Sequence, residues 1–217
     1  MSQKVLDTIK EQKIIAIVRG ISSEKIVSLA EALYAGGLSC IEVTFDQSSE
    51  AGIQNTLASI RALCAASEGR FCVGVGTVMT PEQVDLAVEA GAEYIITPNV
   101  DETVIREAKR LDKVAIPGAF TATEAAFAYK CGADIVKLFP AGVLGPAYVK
   151  ALKAPLKHIP MTAVGSVNVD NCAEFIKAGC IGIGVGGNLV SPKLVDEGRF
   201  DEITATANAY IEALKSV

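Results

Sequence analysis

The sequence holds a single histidine, His158, and six cysteines at positions 40, 64, 72, 131, 172 and 180, none spaced as C-x-x-C. So few nitrogen ligands and such scattered thiols argue against a zinc centre of the usual His-rich or Cys-rich kind. Most of the cysteines sit inside apolar segments (SCIEV, FCVGV, AGCIG) and read as buried thiols acting as small hydrophobes. The net charge is only −5 and no block of basic residues is present. Nothing here can track a phosphate backbone, which argues against nucleic acid as a partner. No apolar run approaches the roughly 18 residues that a membrane span needs. The N-terminal MSQKVLDTIKEQK is polar and amphipathic and lacks the apolar stretch of a signal peptide. The expectation is a cytoplasmic protein acting on a small molecule.

What is present is alternation. Short apolar, β-branched runs appear at KIIAIVR, CIEVTF, FCVGVGTV, YIITP, VAIPGAF, IVKLFP, MTAVGS and IGIGVGG. Between them lie helical patterns such as SEKIVSLAEALYAG, PEQVDLAVEAG, DETVIREAKR and PAYVKALK, and DEITATANAYIEALKSV closes the chain. Strict strand–helix alternation calls for parallel strands joined by right-handed crossovers. Eight such units, with a short helix before the first strand, predict an α/β fold: a single (β/α)8 TIM barrel. A doubly wound open sheet is the alternative, but no dinucleotide or flavin signature accompanies it. Helices end in AGG (35–37), AGA (90–92), CGA (131–133) and AGC (178–180), with glycine where a helix stops. No Pro/Gly/Ser linker interrupts the pattern, so residues 1–217 read as one domain.

Against this pattern, DIVKLFPAG (134–142) places a lysine in a buried strand. Burying an ammonium is unfavourable unless it is paired or loses its proton. On the sixth strand Ile135, Lys137 and Phe139 share the inward face, while Val136 and Leu138 face the helices. The second strand, CIEVTF, repeats the oddity: Ile41, Val43 and Phe45 alternate with Glu42 and Thr44, which point inward. The first strand ends in Arg19 and the third in Thr77. Active sites of such barrels gather at the C-terminal ends of the strands, where these groups would converge. The plain alternative is a buried ion pair of Glu42 with Lys137.

Chemistry gives the pair a use. Desolvation disfavours a charged amine, and a neutral amine attacks a carbonyl carbon to form a Schiff base. A nearby carboxylate then moves protons on and off the carbinolamine and the substrate hydroxyl. A second constellation lies in AVGSVN (163–168) and VGGNLV (185–190), with Gly165, Ser166, Gly186 and Gly187. Loops after the last two strands of this fold often hold a phosphate through backbone N–H groups, although tight turns also need glycine.

These residues carry a resemblance that spans the chain. GADIVKLFPAGVLG (132–145) resembles the Schiff-base signature of the 2-keto-3-deoxy-6-phosphogluconate (KDPG) and 4-hydroxy-2-oxoglutarate (KHG) aldolases. GGLSCIEVTF (36–45) resembles the family's second signature, built around its catalytic glutamate. The resemblance implies that Lys137 is the Schiff-base lysine and Glu42 the acid/base. It implies that Arg19 and Thr77 hold the pyruvyl carboxylate, and that Pro98 and Phe139 line the pocket. It also implies a homotrimer and a cofactor-free class I aldolase giving pyruvate and glyceraldehyde 3-phosphate, or glyoxylate from 4-hydroxy-2-oxoglutarate. The chain departs from the family pattern at Asp46, where many members carry arginine. It has Ala163-Val164-Gly165-Ser166-Val167 where the pattern reads PTGGV, and Gly187 where a serine is usual. A sugar-phosphate isomerase using Glu42 as base, and a catalytically dormant trimeric scaffold, are the competing readings.

Overall fold

Helix starts are written into the turns. Ser49, Thr80, Asp101 and Thr121 sit in extended backbone, and each side chain accepts hydrogen bonds from N–H groups of the next helix's first turn. These donors have no partner inside the helix, so each cap fixes where its helix begins. Thr121 and Glu124 form a reciprocal capping box. The helix-ending glycines read from sequence, Gly37, Gly91, Gly132 and Gly179, all adopt φ between +89° and +111°.

The computed structural model describes residues 2–215 and 217. In chain order the elements are α1 (Ser2–Gln12), β1 (Ile14–Val18), α2 (Ile26–Ala35), β2 (Cys40–Thr44), α3 (Glu50–Ser67) and β3 (Cys72–Gly76). Then come α4 (Pro81–Glu89), β4 (Tyr94–Ile96), α5 (Glu102–Arg110), β5 (Val114–Ile116), β6 (Gly118–Ala119), α6 (Ala122–Lys130) and β7 (Val136–Leu138). The last are α7 (Ala141–Lys153), β8 (Met161–Val164), α8 (Cys172–Lys177), β9 (Gly182–Val185), α9 (Pro192–Asp196) and α10 (Phe200–Lys215). No described helix is long and apolar enough to cross a membrane.

All pairings are parallel, in the order β5-β4-β3-β2-β1-β9-β8-β7-β6. Segments β5 and β6 are the two halves of the fifth strand expected from sequence. They part at Pro117, which has no N–H to give to a ladder. The β5 half pairs with β4 and the β6 half with β7, and the Lys137 N–H donates to the Pro117 carbonyl at 2.9 Å. The ring of strands therefore closes as a (β/α)8 barrel. Two helical details were not read from sequence. Helix α7 is two pieces joined at Gly145 (φ 73°), the second beginning at Pro146 where the helix was expected. The five-residue α9 follows β9.

The apolar side chains form two clusters. The larger lies between strands and helices and includes Ile41, Val43, Val136 and Leu138. The smaller fills the barrel's N-terminal half with Ile15, Cys40, Cys72, Tyr94, Ile116 and Ile135, and Val5 and Ile9 of α1 plug it from below. An ideal Cβ on Gly74 would lie 2.1 Å from the Tyr94 ring, so the ring lies across bare backbone. The Tyr94 hydroxyl is buried there without a hydrogen-bond partner among the described residues. All six cysteines are free thiols, and five are buried.

Candidate active site

Alternation along β2 and β7 decides what faces the barrel axis. Ile41, Val43, Val136 and Leu138 bury against the helices, so Glu42 and Lys137 turn inward, above the apolar plug. Both are buried, Glu42 to 2% exposure and Lys137 to 7%. They make no ion pair: no Glu42 carboxylate oxygen lies within 4.0 Å of Lys137 Nζ. The lysine instead lies over the Phe139 ring, 5.2 Å from its centroid, where the π-face attracts the cation. Burial raises the Glu42 carboxyl above the usual glutamate value of 4.5, and the charges of Lys137 and Arg19 act the other way.

A cavity of about 580 Å³ opens here, and Arg19, Glu42, Thr77, Pro98, Lys137 and Phe139 line it. Gly165, Ser166, Gly186 and Gly187 line it as well, so these ten residues singled out from sequence meet in one place. Thr44 does not: its hydroxyl donates to the Val18 carbonyl at 3.2 Å, and it is absent from the cavity wall. Asp46 also turns away. Its carboxylate accepts the Ser48 N–H at 2.9 Å, and bonds to Ser48 hold that carboxyl below the usual aspartate range.

Thr77 stands just past β3 with φ +57°, a left-handed conformation that a β-branched residue rarely adopts. Gln47 Nε2 donates to the Thr77 carbonyl at 2.7 Å. The Gln47 and Gln83 carboxamides exchange bonds of 3.1 and 2.8 Å, and Gln83 Oε1 accepts the Met79 N–H at 2.8 Å. Two glutamines thus clamp the turn from both sides. Backbone strain of this kind persists where the surroundings enforce it, and it concentrates at functional sites.

The glycine loops divide. Gly165 has φ +94° and Ser166 φ +55°, so the first loop does need its turn geometry. Gly142 N–H of α7 donates to the Gly165 carbonyl at 2.9 Å, and Asn188 Nδ2 donates to the Val167 carbonyl at 2.9 Å, the latter bond tying the two loops together. Gly186 and Gly187 have ordinary φ, and an added Cβ would meet nothing closer than 3.8 Å. Neither turn nor crowding requires glycine at those two positions; bare backbone simply faces the cavity.

Sequence reasoning missed part of the wall. Ile17 and Gly184 line it from inward positions of β1 and β9, which the alternation through Arg19 and Gly186 already marked. Val164 and Val167 flank the first loop, and Asn188, Val190 and Pro192 come from the aperiodic stretch leading into α9.

Comparison with known proteins places the chain. The model of the aldolase family described as KDPG and KHG aldolase matches residues 5–206. The 2-dehydro-3-deoxy-6-phosphogalactonate aldolase of Escherichia coli K12 is 36% identical over 203 residues, covering 93% of this chain and 96% of that one. The 2-dehydro-3-deoxy-phosphogluconate aldolase of Treponema pallidum is 30% identical over 210 residues, covering 96% of each. A solved native structure of KDPGal superposes with a TM-score of 0.83 at 36% identity, covering 94% of each chain.

Proposed function

Because the chain belongs to the KDPG and KHG aldolase family, whose members are pyruvate-dependent carbon–carbon lyases, we propose that Lys137 and Glu42 cleave a 2-keto-3-deoxy-6-phospho sugar acid to pyruvate and glyceraldehyde 3-phosphate. The observation that carries this reading is the pair itself: two buried ionisable groups face one cavity without neutralising each other.

Lys137 Nζ attacks the C2 ketone, and Glu42 protonates the departing hydroxyl so that water leaves and the iminium forms. The Glu42 carboxylate then takes the C4 hydroxyl proton. The C3–C4 bond breaks, its electrons moving into the iminium to give an enamine. Protonation at C3 and hydrolysis release pyruvate and return the amine. Arg19 and Thr77 hold the substrate carboxylate, Pro98 and Phe139 pack on its carbon chain, and the loops at Gly165, Ser166, Gly186 and Gly187 receive the phosphate through backbone N–H groups.

The family resemblance points first to the gluconate acid. The 36% identical relative carries the galactonate name and the 30% identical one the gluconate name. The higher identity favours the galactonate acid. The two acids differ only at C4, which becomes the aldehyde carbon, so both give the same products and only rates on pure epimers separate them.

Borohydride reduction in the presence of pyruvate tests the chemistry. A pyruvyl adduct on Lys137 by mass spectrometry is expected, and its absence at saturating pyruvate sinks the reading. Pyruvate release measured on both C4 epimers and on 4-hydroxy-2-oxoglutarate then ranks the substrates; a higher kcat/KM on 4-hydroxy-2-oxoglutarate overturns the phosphorylated assignment.

The chain acts as one barrel domain and as a homotrimer in the cytoplasm. Phe120, Phe127, Tyr129, Val143 and Leu144 expose 37–69% of their surface on and beside α6 and the start of α7, apolar area suited to contact between copies. Free thiols suit a reducing compartment. Light scattering after size exclusion checks the trimer, and a monomeric mass removes it.

A further inference from the structure

Strand β3 reads CVGVG, with two glycines on the inward face where a side chain would ordinarily fill the barrel. Glycine inside a strand weakens it, and it often marks a place where another group approaches the backbone closely. Gly74 fits this through packing alone, since the Tyr94 ring occupies its side-chain space. Gly76 is different in kind.

Its φ lies outside the left-handed region, and its carbonyl accepts the Phe45 N–H at 2.8 Å within the ladder. The backbone at Gly76 therefore suits any L-residue. What denies it a side chain is space: an ideal Cβ would lie 1.7 Å from Glu42 Oε1, 2.5 Å from the carboxyl carbon and 2.8 Å from Cγ. The three nearest atoms all belong to Glu42. Meanwhile no hydrogen bond or ion pair from a described residue reaches the Glu42 carboxyl. A group with three rotatable bonds is thus held mainly by shape, laid flat across bare backbone.

We propose that Gly76 is a positioning residue for the reaction, its missing side chain forming the seat that fixes the Glu42 carboxyl opposite Lys137. This rests on the reading of Glu42 as the acid/base. A methyl group at position 76 lifts the carboxyl off the strand by more than an ångström, because ordinary contact begins near 3.4 Å. Misplacement on that scale lowers rates by roughly 100-fold.

The test is a set of variants read by kcat, KM, pH profile and thermal stability. Glu42→Gln comes first: if it keeps full kcat, the acid/base reading fails, whatever Gly76 does. With that reading standing, Gly76→Ala is expected to lower kcat roughly 10- to 100-fold, with KM changed less than about threefold. The acidic limb of its pH profile moves to lower pH, because a lifted carboxyl is better solvated. The borohydride adduct on Lys137 still forms. Unchanged kcat and unchanged pH profile in Gly76→Ala overturn the proposal.

Should Gly76→Ala not fold, the double variant Gly76→Ala, Glu42→Ala decides. With the glutamate truncated the methyl has room, so the double variant folds with a Tm at or above that of Glu42→Ala. A double variant as damaged as Gly76→Ala shows that something other than Glu42 excludes the methyl, and also overturns the proposal. Gly74→Ala is the control: its loss of stability is not relieved by Glu42→Ala, since its obstacle is Tyr94.

Discussion

The two ends of the barrel interior are built from the same strands and behave oppositely. At the N-terminal end, Cys40, Cys72, Tyr94 and Ile135 close-pack under α1, and the Tyr94 ring fills the space that Gly74 leaves. Two residues further along β2 and β7 stand Glu42 and Lys137, with Gly76 two past Gly74 on β3, and there the barrel opens into a cavity. One step of two along a strand carries the chain from a group that stabilises the fold to a group that burial disfavours. The lower layer is packed apolar, while the upper layer keeps two buried ionisable groups without an ion pair between them. Stability and the proposed chemistry are thus separated along the barrel axis.

This contrast can be broken in order of expected effect. Lys137→Met should abolish the pyruvate adduct and lower pyruvate release by roughly 10⁴-fold or more, while leaving Tm equal or higher. A variant that keeps a tenth of parental turnover would put the chemistry elsewhere. Glu42→Gln should lower kcat by about 10²- to 10⁴-fold and at the same time stabilise the fold at neutral pH.

The sign of that stabilisation follows from burial, which raises the Glu42 carboxyl above 4.5. The native state then keeps the proton to higher pH than the unfolded chain. The contribution is whole below 4.5 and is lost as pH rises through the folded value. The advantage of Glu42→Gln therefore grows from mildly acidic toward neutral pH and vanishes below 4.5, which urea titrations across that range can follow.

Ile135→Ala, one step below Lys137, should do the reverse of Lys137→Met. It loses about 2–5 kcal/mol of stability while kcat, measured where the variant is still folded, stays within about threefold of the parent. A collapse of kcat with no loss of stability would erase the division between layers. The smallest effect belongs to Tyr94→Phe. Its hydroxyl is buried without a partner, so removing it should stabilise by up to about 1 kcal/mol. A loss of that size in chemical denaturation would mean the hydroxyl is bonded after all.

Much of this architecture is legible in the residues. Alternation and helix-ending glycines point to the barrel, and polar residues at inward positions point to the cavity, because both follow from local periodicity. What stayed hidden depends on contacts between distant segments. Pro117 is visible in VAIPGAF, yet that its carbonyl bridges to Lys137 N–H depends on how β6 lies beside β7. The short α9 and the wall residues Asn188 and Pro192 occupy a stretch too brief to show a helical period. Thr44 shares its face with Glu42, but its hydroxyl bonds a neighbouring strand, which no pattern within CIEVTF reveals. Gly76 looks like any strand glycine until the Glu42 carboxyl is seen lying on it.

Closure of the ring also fixes a timetable. The last strand, β9, docks on β1, with Ile183 N–H donating to the Lys13 carbonyl at 2.8 Å. Glu42 and Lys137 are synthesised long before Gly184 and Gly186, which complete their enclosure. A growing chain on the ribosome therefore carries both ionisable groups before the strand that completes their enclosure exists. The chamber is complete only once the final strand stands beside the first.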